Sequence, residues 1–103
     1  MKYRIARTKR ARSDLVAIAR YTLATWGPDQ TRDYLAELDK TIAKLGQLPL
    51  SVGLDRAKLK PGLRSVLHGK EYIIFYRVRG DYVEIIRILR QRQDWMRRMK
   101  ARG

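Results

Sequence analysis

The stretch EYIIFYRVRGDYVEIIRIL, residues 71–89, decides the fold. It contains two runs rich in β-branched and aromatic residues, Glu71–Val78 and Tyr82–Leu89, and such runs are typical of β-strands. The three residues between them, Arg79-Gly80-Asp81, are short enough for a hairpin turn. A third run, Leu63–His68, precedes them across another short turn at Gly69. The sequence therefore predicts three consecutive antiparallel strands.

Upstream of these strands the sequence predicts one short strand and two helices. Tyr3–Arg7 alternates between apolar and polar residues, and Thr8 is a suitable N-cap for the helix that follows. Gly27 ends that helix and Pro28 begins the next, which makes an α-hairpin. The apolar face of the first helix is Ala11, Leu15, Ile18, Thr22 and Trp26, and that of the second is Tyr34, Leu35, Leu38, Ile42 and Leu45.

The predicted fold is an α+β single domain spanning residues 1–103, with the order β-α-α-β-β-β. The α-hairpin packs on one face of a mostly antiparallel sheet, and Gly46–Gly62 forms a long loop. Asp94–Arg102 is an optional, very basic C-terminal helix. The residues expected in the core are Leu15, Ile18, Trp26, Leu38, Ile42, Phe75 and Ile85.

The last two strands are apolar on both faces, which is typical of strands that lie between two covering layers. The alternation assigns Tyr72, Ile74, Tyr76 and Val78 to one face of their strand, and Ile73 and Phe75 to the other. In the next strand it assigns Val83, Ile85 and Leu89 to one face, and Ile86 and Ile88 to the other. The hairpin covers one sheet face only. Residues 46–62 and 90–103, or another chain, must cover the second.

Composition excludes several classes of protein. The chain has 24 Lys+Arg against 10 Asp+Glu, a net charge of +14, and it has no cysteine for a disulfide, a thiolate zinc site or a nucleophile. Its one histidine, His68, cannot build a histidine metal site, so we expect neither metal nor cofactor. No apolar run is long enough for a membrane span and Met1–Arg12 contains no signal-peptide core, so we expect a cytoplasmic protein.

The positive charge is concentrated in the second half of the chain. Residues 56–103 contain fourteen basic and four acidic residues, a net charge of +10. A field of this strength attracts an acidic protein or a polyanion. An apolar sheet face bordered by arginines would also suit an amphipathic acidic segment.

The order and spacing of residues along most of the chain resemble the RelE/ParE superfamily of toxins, and within it the ParE branch. The residues that carry the resemblance are Asp14-Leu15, Ile18, Tyr21, Trp26-Gly27, Gln30, Tyr34, Leu48-Pro49, Gly53, Pro61-Gly62-Leu63-Arg64, Ile74-Phe75-Tyr76-Arg77, Ile85-Ile86-Arg87-Ile88-Leu89, Arg92 and Asp94. The sequence departs from the family at Tyr72 and Arg90, where ParE-like chains often carry histidine.

The resemblance implies a toxin of a type II toxin–antitoxin module that inhibits DNA gyrase. It also implies a cognate acidic, ParD-like antitoxin that neutralises the toxin in a hetero-oligomer. The interleaved apolar and basic strand residues make up the expected antitoxin-binding set, Arg64, Tyr72, Ile74, Tyr76, Arg77 and Arg87. The basic tail supplies the expected target-binding set, Arg90, Arg92, Trp95, Arg97 and Arg98.

Two alternatives remain open. A RelE-like ribosome-dependent mRNA endonuclease would draw on Lys58, Lys60, Arg64, His68, Arg87 and Arg92. Arginine is a poor general base because its pKa lies above about 12, and neither tyrosine nor histidine follows Tyr82. A plain nucleic-acid-binding module could stack a base on Trp95, but the chain carries no helix-turn-helix, RNP or zinc-finger signature. Inhibition by binding, without catalysis, is therefore the leading hypothesis.

Overall fold

The computed structural model describes residues 2–91 and has the predicted α+β architecture. Its elements are β1 (Arg4–Arg7), α1 (Lys9–Trp26), α2 (Pro28–Leu45), β2 (Leu54–Asp55), β3 (Arg64–His68), β4 (Tyr72–Arg79) and β5 (Tyr82–Arg90). Only β2 was not predicted, because two residues are too few to show alternation. The optional helix Asp94–Arg102 lies outside the described residues.

The sheet is mixed, with the strand order β1-β5-β4-β3-β2. β1 runs parallel to β5, whereas the pairs β5–β4, β4–β3 and β3–β2 are antiparallel. The connection from β1 to its parallel partner includes the whole α-hairpin, as a crossover between parallel strands requires. The first and last strands of the described chain are therefore neighbours.

The main core lies between the α-hairpin and the sheet. Ile18, Leu38, Ile42 and Ile85 are buried in it as predicted, and Leu15 packs against it while partly buried. Phe75 is also buried as predicted, but on the opposite face of the sheet.

The prediction that Trp26 belongs to the core is wrong, since its side chain is 62% exposed. Spacings of 4, 3, 4 and 4 residues carry Trp26 about 60° around the helix from Ala11. Trp26 is also the last residue of α1, at the turn of the hairpin. It lines an open cleft there instead of packing on the sheet.

The sheet faces predicted for the end of β5 are wrong, because β5 contains a β-bulge. Phe75 pairs with Arg87 whereas Tyr76 pairs with Ile85, so Ile86 is an extra residue on β5. Beyond a bulge the alternation of side chains reverses. Ile88 therefore joins the core under the hairpin, and Leu89 joins Ile86 on the opposite face, contrary to the simple alternation.

The second sheet face is buried within this chain, which confirms the intramolecular alternative for residues 46–62, whereas residues 92–103 lie outside the described part of the chain. Ile73, Phe75 and Leu89 are at most 3% exposed. Leu59, from the loop before β3, packs against this second cluster, and Arg56 from the same loop donates a hydrogen bond of 2.8 Å to Ser65 on β3. The alternative that another chain must cover this face is therefore wrong.

A largely buried ion pair, which we call the Asp14 clamp, joins α1 to β5. Asp14 Oδ2 accepts hydrogen bonds from Arg87 Nε and from the backbone N–H of Ile88, both at 2.9 Å. Asp14 Oδ1 accepts a third from Arg87 Nη2 at 3.1 Å. The pairing with β1 ends at Ile85, so the carboxylate takes the place of a strand at this part of the β5 edge.

Thr8 holds the start of α1 beside the same edge of β5. Its hydroxyl donates to Ile86 O at 2.8 Å and accepts from Ala11 N at 3.0 Å. The predicted N-cap is therefore confirmed. The same side chain also ties the start of the helix to the bulge of β5.

We expect Asp14→Ala to lower the free energy of unfolding by about 3 kcal/mol, because it leaves Arg87 charged and without its carboxylate at a site where water is scarce. The Arg87 and Asp14 side chains are only 11% and 14% exposed. Urea unfolding of both proteins at one pH and salt concentration measures the difference.

Asp29→Ala is the matched control, because Asp29 also pairs with an arginine, Arg32, at 3.5 Å, but its side chain is 88% exposed. We expect this variant to cost less than about 1 kcal/mol. Equal losses in the two variants would contradict a structural role for the clamp.

Candidate partner-binding surface

Arg64 and Tyr76, both predicted to contact the antitoxin, hold residues 48–53 against the sheet. Arg64 Nη2 donates to Leu50 O at 3.2 Å, and Arg64 Nε lies 3.3 Å from the Tyr76 hydroxyl. That hydroxyl is 2.6 Å from Pro49 O and 2.7 Å from Val52 O, so its one proton binds either carbonyl. Tyr76 is fully buried, and Arg64 is half-buried.

The six residues expected to bind the antitoxin do not form one surface. Tyr72, Ile74 and Tyr76 face the hairpin and belong to the core, because strand alternation does not reveal which face the helices cover. Arg87 is held in the Asp14 clamp. Arg77 is 2.7 Å from Glu84 and keeps 41% of its side chain exposed. Only Arg64 and Arg77 therefore retain accessible charge for a partner.

Of the residues expected to bind the target, the structure describes Arg90 alone; Arg92, Trp95, Arg97 and Arg98 lie outside residues 2–91. The Arg90 guanidinium lies 4.1 Å from the ring centroid of Tyr21 and 5.8 Å from that of Tyr72. Hydrogen bonding to Arg90 lowers the pKa of Tyr21, and the same contact raises the pKa of Arg90. Arg90 is thus a stacked cation at the end of β5.

The described candidates for a ribonuclease site are dispersed. Arg64 and His68 lie four residues apart on β3, which separates them by about 13 Å. Arg87 is held in the Asp14 clamp, and Lys58 and Lys60 lie on the loop between β2 and β3. Arg92 lies outside the described residues. Within residues 2–91, His68 therefore does not share one site with Arg64, the other candidate on β3.

His68 joins β3 to α2. Its Nδ1 is 2.8 Å from the Thr41 hydroxyl, and its ring meets Tyr34 edge-on with centroids 5.4 Å apart. Burial lowers the pKa of His68, and burial also raises the pKa of Tyr34 to about 12. His68 is therefore a neutral contact between two elements at physiological pH.

A cleft of about 430 Å³, which we call the turn cleft, opens between the turn of the hairpin and the start of β4. Its lining residues are Tyr21, Thr22, Trp26, Gln30, Asp33, Tyr34, Glu37, Glu71 and Tyr72. The sequence pattern does not reveal this cleft, because its lining residues come from three separate elements. The one available signal was the four-residue spacing of Asp29, Asp33 and Glu37, which is also typical of a solvated helix face.

The described part of the chain contains neither a group of metal-ligating side chains nor a membrane-spanning helix. No three His, Cys, Asp or Glu side chains within residues 2–91 are grouped so that they could hold a metal ion. Neither helix described by the structure is long and apolar enough to span a membrane.

We expect Gly53→Ala to destabilise the protein by more than about 2 kcal/mol, since it combines strain at positive φ with a clash against rigid backbone. Gly53 has φ +83°, and a Cβ there would lie 2.5 Å from Ser65 O and 2.8 Å from the Tyr76 hydroxyl. Gly62→Ala is the control, because Gly62 has φ +78° with no atom within 4 Å of its added Cβ. Thermal unfolding should show a larger loss for Gly53→Ala; equal losses would mean that the close approach contributes nothing.

We expect wild-type stability to fall more steeply than that of His68→Gln as the pH drops from 7.5 to 5. The folded pKa of His68 is lowered below its ordinary value of 6.5, so the unfolded state binds the proton more readily. The contribution of His68 is therefore complete above the unfolded pKa and is lost as the pH falls through the folded pKa. Urea unfolding across this range measures it, and parallel pH profiles would contradict the prediction.

The comparisons with known proteins all indicate the same family. The family model for the ParE toxin of the type II toxin–antitoxin system parDE matches residues 5–95. Toxin ParE1 of Caulobacter vibrioides is 40% identical over 89 residues, which cover 86% of this chain and 88% of that protein. Toxin ParE of Escherichia coli is 35% identical over 97 residues, which cover 92% and 91%.

A solved structure of the chromosomal ParDE toxin–antitoxin system from P. aeruginosa shares the fold. Its TM-score is 0.74 at 26% sequence identity, and the match covers 86% of this chain and 96% of that one. Sequence and architecture thus agree along most of the chain. The protein belongs to the ParE toxin family of type II toxin–antitoxin systems.

Proposed function

We propose that this toxin acts in the cytoplasm by binding rather than by catalysis, that its target is DNA gyrase, and that an acidic ParD-like antitoxin neutralises it. The observation that carries the proposal is that two of its predicted catalytic cations, Arg64 and Arg87, are engaged in structural contacts. Arg87 closes the Asp14 clamp, and Arg64 holds the loop before β2. A catalytic arginine would need to be free to meet phosphate in the transition state.

Proton chemistry also favours binding over RNA cleavage. A general base must lie within hydrogen-bond reach of the proton that it abstracts. His68 Nδ1 is engaged with Thr41, and its strand separates the ring from Arg64. Burial of Tyr34 raises its pKa to about 12, which removes it as a base near neutral pH.

Charge supports an acidic antitoxin as the partner. The chain carries +14, and the Arg77 side chain is 41% exposed, which leaves a cation accessible on the sheet. Complementary charge speeds association and selects the partner. The related P. aeruginosa structure is of a ParDE system, which is consistent with a hetero-oligomer of toxin and antitoxin. Direct binding to nucleic acid would also be favoured by the positive charge of the chain, but this alternative does not explain the match to the ParE toxin family.

The target-binding residues in this proposal are Arg90 and the basic residues that follow it. Arg92, Trp95, Arg97 and Arg98 supply three cations and one large aromatic ring, a combination that is common in interface hot spots. Arg90 stands at the point where β5 ends, so the tail begins beside Tyr21 and Tyr72.

Two assays of the purified toxin test the mode of action. We expect inhibition of gyrase supercoiling on plasmid DNA, and no ribosome-dependent cleavage of mRNA. The reverse result would replace the proposal with the ribonuclease alternative. In the first assay, Arg92→Gln/Arg97→Gln/Arg98→Gln should weaken inhibition at least about tenfold, as loss of hot-spot arginines does.

Arg12→Gln/Arg20→Gln/Arg32→Gln is the control, because these three arginines are exposed on the helices and their replacement changes the net charge equally. Equal weakening by both triple variants would show that general charge, not the tail, drives inhibition. The antitoxin is tested by co-expression of the toxin with a short acidic, ParD-like protein, where a neighbouring reading frame encodes one. Co-elution that weakens with added salt supports the proposal, and separate elution contradicts it.

A further inference from the structure

Four of the nine residues that line the turn cleft are aromatic. Tyr21 and Trp26 from α1, Tyr34 from α2 and Tyr72 from β4 all line it. Tyr21 is 47% exposed and Trp26 is 62% exposed, so two of the four rings are accessible to solvent, and Arg90 lies against one face of Tyr21. Exposed large aromatic side chains grouped around a cavity typically mark a binding site.

The charge of the cleft is opposite to that of the chain. Asp33, Glu37 and Glu71 line it, and none of the described lining residues is a lysine or an arginine. The chain as a whole carries +14, so the cleft lining carries the minority charge, and two basic side chains, Lys70 and Arg90, line the adjoining cavity that shares Tyr21 and Glu71. A cation would be attracted here and repelled by most of the remaining surface.

The present partners of these carboxylates are weak. Asp33 is 3.9 Å from Arg32 and Glu37 is 3.4 Å from Lys40, and all four side chains are at least 63% exposed. Exposed pairs of this kind contribute little to stability. A better-placed cation can therefore replace them at small cost.

The geometry favours a planar organic cation over a metal ion. The carboxylates do not converge as metal ligands within the described chain. A guanidinium stacks on aromatic rings and donates hydrogen bonds to carboxylates at the same time, whereas an ammonium does the second but stacks less often. Arg90 already shows such stacking, since it lies 4.1 Å from the centroid of Tyr21 without lining this cleft.

We propose that the turn cleft is a binding site for an arginine side chain of the antitoxin, with Tyr21 and Trp26 as stacking surfaces and Asp33, Glu37 and Glu71 as acceptors. That the antitoxin supplies the side chain rests on the proposed function. The site reverses the general rule of the complex, in which the toxin is basic and the antitoxin acidic. One reversed pair fixes the orientation of the antitoxin segment, because any shifted arrangement places its cation against a basic surface.

The cleft is tested first with a probe of one side chain. N-acetyl-arginine-N-methylamide is titrated into the full-length toxin, and the indole N–H resonance of Trp26, assigned by its absence in Trp26→Phe, is followed by NMR. We expect a saturable shift. The citrulline analogue has nearly the same shape without the charge, and it should bind at least about fivefold more weakly, as loss of a cation–π contact and an ion pair requires.

Two matched variants distinguish the effect of the cleft carboxylates from the effect of the overall charge of the toxin. Asp33→Asn/Glu37→Gln removes two cleft carboxylates, whereas Asp29→Asn/Asp39→Asn removes two from the same helix outside the cleft. We expect only the first to weaken binding of the arginine probe, by about fivefold or more. Equal weakening in both variants, equal affinity for citrulline, or a shift that does not saturate would overturn the proposal.

The co-expressed antitoxin then tests the source of the arginine. Asp33→Asn/Glu37→Gln should weaken the complex, and Asp29→Asn/Asp39→Asn should not. If the wild-type toxin captures the antitoxin but both variants capture it equally well, the cleft assignment is overturned while the proposed function stands. If the wild-type toxin captures no antitoxin but binds the arginine probe in the cleft, the proposed function and the assigned source of the side chain both fail.

Discussion

The structure depends on one carboxylate, that of Asp14, which accepts three hydrogen bonds from β5. β1 ends before it can cover this part of the β5 edge, so without Asp14 the backbone N–H of Ile88 and the largely buried guanidinium of Arg87 would lack these hydrogen bonds. The clamp joins residues more than seventy positions apart and sets the position of α1 along the sheet. Because α1 carries the hairpin turn, the clamp also sets the walls of the turn cleft.

The same polar ties determine which charges a partner can meet. Arg87 is paired with Asp14 in the clamp, and Arg64 donates a hydrogen bond to a carbonyl oxygen of the loop before β2. Arg77 remains partly exposed beside Glu84, and Arg90 is stacked on tyrosine. In a small domain with a thin core, some arginines stabilise the fold through contacts within the chain. Net charge alone therefore overstates the cations that are free to act on phosphate or on a partner.

The sequence predicted both helices, four of the five strands and most of the core, since these depend on local periodicity, caps and turns. It failed where packing overrides periodicity. The bulge at Ile86 moved Ile88 and Leu89 to the opposite faces, and helical drift moved Trp26 out of the core. Site residues were harder to predict, because alternation shows that a strand has two apolar faces but not which of them the hairpin covers.

The turn cleft shows why a binding site can escape such patterns. Its aromatic rings lie on three elements, and each of its acidic residues, taken alone, resembles an ordinary solvated side chain. Only the packing of the hairpin turn against the start of β4 brings Trp26, Glu37 and Glu71 around one cavity. A uniform basic surface would attract an acidic segment in many registers with similar energy. In the proposed complex, the acidic turn cleft would break this degeneracy, because its minority charge favours one orientation while the majority charge raises the encounter rate.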